Sequence, residues 1–105
     1  MRLLSASDIH ALIDFPTAIR QLRRAYQQFQ PAQFSCPDRS IICTDADATQ
    51  PAGYFGAIPA LDHSQQQYMV KIAGLVMQQP QCQMAALIAL MDSRTARLQA
   101  LLDGE

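Results

Sequence analysis

The apolar positions change their period along the chain, and the change divides it into a helical part and a strand part. From Phe15, the residues Ala18, Ile19, Leu22, Ala25, Tyr26 and Phe29 follow at three- and four-residue steps. That spacing makes one apolar stripe on a helix from Asp14-Phe15-Pro16 to about Gln30. Arg20, Arg23, Arg24, Gln27 and Gln28 lie mostly off the stripe. Proline suits a helix's first turn, where its missing N–H costs nothing, and Pro31 is expected to end the helix. Upstream, Ser7-Asp8 predicts a capped helical turn through Leu12, because short polar side chains can accept from free backbone amides.

After a loop at 31–38 the period falls to two. Arg39 to Thr44 is rich in β-branched residues and predicts a strand. Gly53 to Leu61 predicts another, in which Pro59 implies an edge, an end or a bulge. Gln67 to Val76 is the strongest. Its Tyr68, Val70, Ile72, Gly74 and Val76 share one face, and Met69, Lys71, Ala73 and Leu75 share the other. Asp45–Pro51 and Gln78–Gln83 read as loops. Ala85–Met91 and Ala96–Leu102 flank a polar turn, Asp92-Ser93-Arg94-Thr95, and predict a hairpin. Residues 84–91 could instead form a buried helix, since Ala, Leu and Met favour one; the short turn and the matching apolar run favour strands. Helices followed by a run of strands predict an α+β fold. The expectation is N-terminal helices packed on a mostly antiparallel sheet of about five or six strands, in a single domain of residues 1–105.

Composition narrows the function classes. Of 105 residues, half are apolar and 16% charged, as in a folded chain and not a disordered one. A net charge of -1 argues against nucleic acid or an anionic membrane as partner. The most apolar region, Met69–Met91, is broken by Lys71 and by Gln78-Gln79-Pro80-Gln81, so no membrane span is expected. Cys36, Cys43 and Cys82 are odd in number and show no CxxC spacing. They read as free thiols in a reducing, cytoplasmic setting, with no metal site.

Several short pieces then form a recognisable order: Leu4-Ser5-Ala6-Ser7-Asp8-Ile9, the Pro16–Phe29 helix, Pro37-Asp38-Arg39, Gly56-Ala57-Ile58-Pro59-Ala60, Val70-Lys71-Ile72, Leu90-Met91-Asp92 and Leu101-Leu102-Asp103-Gly104. Together they resemble the amino-terminal domain of the ornithine cyclodeaminase/mu-crystallin family over essentially the whole chain. The chain departs from the family pattern at Gln78-Gln79-Pro80-Gln81 and at Ser93-Arg94-Thr95. The resemblance implies a domain that binds an amino or imino acid and forms a homodimer. It also implies a nucleotide-binding domain for NAD(H) or NADP(H) beyond Glu105; the chain itself has no GxGxxG and is expected to hold no cofactor. The family includes cyclising deaminases, ketimine reductases, alanine and opine-type dehydrogenases and mu-crystallin.

By the same resemblance, Arg39 is expected to pair with the substrate carboxylate. Lys71 is expected to contact that carboxylate and to position, or exchange protons at, the reacting carbon, which makes it the candidate catalytic residue. The chemistry suits these roles. A guanidinium fork holds a carboxylate through two charge-assisted bonds, and lysine supplies a compact charge. Without the resemblance, Lys71 reads as a lysine on a solvated sheet face and Arg39 as a surface arginine after a turn. His63 beside Asp62 reads as an exposed loop histidine, the arginines of the helix as a solvated face, and the Leu/Met/Ala-rich end as core or dimer interface. On this reading the 105 residues are inactive alone. The alternative is a stand-alone non-catalytic dimerisation or ligand-binding module, or the remnant of a disrupted gene.

Overall fold

The computed structural model describes residues 1–78 and 80–104. Gln79, which belongs to the expected Gln78–Gln83 loop and to the Gln78–Gln81 departure, lies outside the described residues, as does Glu105. Among the described residues the fold is α+β, with two helices and a mostly antiparallel sheet of seven strands. The strands are β1 (Arg2–Leu4), β2 (Phe34–Ser35), β3 (Ser40–Thr44), β4 (Gly53–Asp62), β5 (Gln67–Gln78), β6 (Gln81–Asp92) and β7 (Leu98–Asp103). Their spatial order is β1-β7-β6-β5-β4-β2, with β3 also paired to β4. β1 runs parallel to β7, and the other pairs are antiparallel.

The sheet exceeds the expected five or six strands because β1 and β2 are too short to show a period. Each exists through its partner, β7 for the first and the end of β4 for the second. The expected loop at Gln78–Gln83 is also corrected. β5 runs to Gln78 and β6 starts at Gln81, and these two residues pair. Residues 84–91 are strand, which settles the helix alternative. Pro59 lies inside β4 at a local edge. β3 pairs with β4 residues up to Ala57 and β2 pairs with β4 from Leu61 on, so the absent N–H of Pro59 falls in the gap between them.

The helix starts follow their caps. α1 spans Ala6–Leu12 and is capped by Ser5, not by Ser7-Asp8. Asp8 is the third helical residue and accepts from the Ser5 backbone N–H at 2.9 Å, while the Asp8 N–H donates to Ser5 Oγ at 3.3 Å. The two residues satisfy each other's free groups. α2 spans Phe15–Gln27, with Asp14 accepting from the Thr17 N–H at 2.8 Å. It ends before the expected Gln30. Pro31 disfavours helical backbone at the residue before it, and Gln30 is extended, with φ -126°. The chain then makes a short 3-10 turn, Pro31–Gln33, and Phe29 stacks on Phe34 with ring centroids 5.2 Å apart.

Both long hairpin turns are built alike. The carboxylate of Asp62 accepts the N–H groups of Ser64 and Gln65 at 2.8 and 3.0 Å, and that of Asp92 accepts those of Arg94 and Thr95 at the same distances. Each turn then needs one residue with positive φ, Gln66 and Ala96, both at 55°. A side chain there is strained and glycine is not. Ala96→Gly and Gln66→Gly are each expected to stabilise the fold by up to about 1 kcal/mol, read as a raised thermal midpoint. A lowered midpoint in both variants would contradict this account.

These bonds also set an acid limit. The Ser64 hydroxyl and then the Gln65 amide hold Asp62 below the usual aspartate range; the amides of Arg94 and Thr95 do the same for Asp92. Ser5 lowers Asp8, Thr17 lowers Asp14 and Thr49 lowers Asp47, in each case chiefly through the side-chain hydroxyl. A carboxyl whose folded pKa lies below its unfolded value, about 3.9, contributes fully above that value. Its contribution disappears as pH falls through the lower folded value. Urea midpoints should therefore be flat between pH 5 and 7, by this contribution, and fall below about pH 4; a midpoint that rises on acidification would refute it.

Coverage of the sheet is the unusual feature. Among the described residues only Gly53 and Ala100 are buried. The chain exposes 8346 Å², whereas a compact folded monomer of 11.6 kDa exposes about 5,800 Å². Its radius of gyration is 16.4 Å, against about 13 Å for a compact domain of this length. α1 lies against β1 and β7, but the apolar stripe of α2 is open, with Phe15 79% and Tyr26 78% exposed. The Leu/Met/Ala-rich end, expected to be core or interface, contributes Ala100 alone to the buried set.

Candidate functional site

Register decides which side chains meet. Ile58 of β4 lies opposite Lys71 of β5, and Lys71 lies opposite Ile88 of β6. On the other side of β4, Ser40 pairs with Ala57. Arg39 stands one residue before β3, where it continues that register opposite Ile58; it was expected to open the strand. Opposed residues point to one face of a sheet. Arg39, Ile58, Lys71 and Ile88 therefore form one row across a single face. Two strand spacings, about 10 Å, separate the backbones of Arg39 and Lys71. Long side chains can converge over that span on an anion between them.

Both cations are available. Arg94 pairs with Asp92 at 3.5 Å, and among the described residues neither Arg39 nor Lys71 has a carboxylate partner. Lys71 is half-buried between neighbouring strands, while Arg39 is exposed. An anionic ligand would supply the counter-charge that both side chains lack.

The next row on the same face, two residues along each strand, is made of small residues: Gly56 of β4 and Ala73 of β5. Ile41 of β3 stands beside Gly56. The row after it is tall again, with Tyr54 opposite Leu75 and Leu75 opposite Met84. A low row between two tall ones leaves an open trough of about 170 Å³, with Arg39 at its border. The chain pattern contained these residues, but only the register of four strands, β3 to β6, reveals the trough. The sequence places Leu75 on the Lys71 face of its strand and gives neither Leu75 nor Met84 a role in a site.

His63 is not part of this cluster. It lies just past β4, and its ring Nε2 hydrogen-bonds Ser35 Oγ at 2.7 Å while its N–H donates to the Gln33 carbonyl at 2.8 Å. It ties β2 to the sheet. Cys36, Cys43 and Cys82 are free and exposed. No group of metal-ligating side chains occurs among the described residues. No helix among them is long and apolar enough to cross a membrane. The four glycines lie in β4, in β5 or just after β7, and none of them leads from a strand into a helix. The described residues therefore do not fit the pyrophosphate of a nicotinamide dinucleotide, which needs such a turn.

Against solved structures the chain has a clear likeness. It matches Thermococcus litoralis Delta(1)-pyrroline-2-carboxylate reductase, solved in complex with NADH and L-proline, with a TM-score of 0.80 and 26% identity. This chain is similar to an imino-acid reductase. The match covers 99% of the chain but 32% of the reductase, so the chain spans about a third of that protein's length. No protein-family model and no curated protein matches it. The likeness is consistent with the resemblance to the ornithine cyclodeaminase/mu-crystallin family.

Proposed function

We propose that the chain is the substrate-binding and dimerisation part of an NAD(P)-dependent enzyme of the ornithine cyclodeaminase/mu-crystallin kind, acting on a small amino or imino acid. The observation that carries this reading is the row Arg39–Ile58–Lys71, two cations on one sheet face without an acidic partner. The likeness to a reductase solved with L-proline supports the ligand class. Arg39 holds the carboxylate through its fork and Lys71 contacts the same group from β5. Fixing a carboxylate fixes the α-carbon bonded to it, which is the carbon such enzymes act upon, and orientation of that kind lowers the barrier to reaction. Lys71 is the group nearest in kind to a proton carrier there. Redox chemistry would belong to a nicotinamide held elsewhere, and the 105 residues are inactive alone. Three free thiols support a reducing, cytoplasmic setting.

The test is titration of the chain with L-proline and with L-prolinamide, followed by methyl and amide NMR. Saturable shifts around Ile58 and Lys71 with the acid, and none with the amide, are expected. Equal responses to the two would remove the carboxylate reading.

A further inference from the structure

We infer that the trough beside Arg39 receives the side chain of the bound acid, and that it selects an uncharged hydrocarbon chain or ring over one ending in an amine. This rests on the proposed carboxylate role of Arg39 and adds to it the class of acid. Arg39 borders the trough, and Ile58, beside it in the row, forms the near wall. The floor is Gly56 and Ala73; Tyr54, Leu75 and Met84 form the far wall. Rows on one face are about 7 Å apart, so a carboxylate held over Ile58 directs a short side chain onto the small row.

Three properties of the trough favour an apolar chain. Its volume, about 170 Å³, is comparable with the roughly 150 Å³ of an apolar cavity that holds benzene. Its lining is apolar apart from Arg39 and the Tyr54 hydroxyl. No acidic residue borders it. A terminal ammonium entering it would lose water without gaining a counter-charge, and would meet Arg39 as a like charge. A branched or cyclic hydrocarbon entering it loses only unfavourable contact with water. Leu75 and Met84 are thus specificity-determining residues. Gly56 sets the depth, because a Cβ there would stand 3.3 Å from the Ser40 carbonyl and fill the floor.

The experiment uses the 105-residue chain, labelled at Ile, Leu and Met methyl groups, titrated with L-leucine, L-proline, L-ornithine and L-lysine. Met84 is 60% exposed, so Met84→Glu leaves the fold intact and puts an acid at the trough. In the unmodified chain L-leucine and L-proline should bind at least tenfold tighter than L-ornithine, with shifts at Ile41, Leu75 and Met84. In Met84→Glu the ratio of leucine to ornithine affinity should fall at least tenfold. Binding of all four acids without preference, or shifts away from the trough, overturns the inference and leaves the carboxylate reading standing. Absence of binding by all four overturns both.

Discussion

Purified at tens of micromolar, the chain is expected to sediment as a dimer or larger assembly, and Ile72→Asp is expected to weaken that association at least a hundredfold. The exposed surface exceeds that of a compact monomer of 11.6 kDa by roughly 2,500 Å². A stable interface of standard size takes about 800 Å² from each partner, and obligate ones take more. The face opposite Arg39 and Lys71 is the one suited to a second copy. Ile42, Phe55, Ile72 and Leu87 share it by register, all well exposed, and Asp103 of β7 stands at its border opposite Leu87. Contiguous apolar surface of this extent on a folded chain marks a contact surface.

Ile72 is 52% exposed in the single chain, so aspartate there costs the isolated fold little. In an assembly it is desolvated, and a two-fold contact brings two copies of the charge together. Analytical ultracentrifugation of both proteins, with circular dichroism to verify that each is folded, separates the outcomes. A wild-type monomer at these concentrations, or a variant that associates as well as wild type, would show that a second copy does not cover this face.

Local and distant information explain what the sequence revealed. Gln67–Val76 was legible because period-two alternation is written within the strand, and the structure extends it by only two residues. β1 was not legible. Three residues carry no period, and Arg2 is paired with Ala100 at the far end of the chain. The stripe of α2 is legible as far as Tyr26, with Phe29 past the helix end, but nothing within it tells what covers it, and in this chain it lies open. The site divides in the same way. Lys71 stands out as a charge between Val70 and Ile72. Its shared row with Arg39 depends on two successive registers, β3 with β4 and β4 with β5, which no single segment encodes. The trough needs a third, because Met84 reaches it from β6.

Removing either cation should weaken carboxylate binding by about ten- to a hundredfold, the range of a hydrogen bond to a charged group. Lys71→Met keeps the apolar stem and removes the charge, so a loss in this variant reports the ammonium and not packing. Arg39→Lys keeps the charge and removes the fork; it should recover part of the affinity lost in Arg39→Ala, and not all of it. Arg39 is exposed, so solvent and salt screen it, and its share of the binding should shrink as ionic strength rises from 0.01 to 1 M. Lys71 is half-buried and should lose less. The two backbones are about 10 Å apart, yet both cations would contact one ligand. The double variant should therefore depart from additivity, unlike two distant surface changes. Calorimetric or NMR titration of L-proline into the four variants reads all of this. Unchanged affinity in Lys71→Met, with the fold intact, would assign that lysine to the solvated face of the sheet and leave Arg39 as the sole cation of the site.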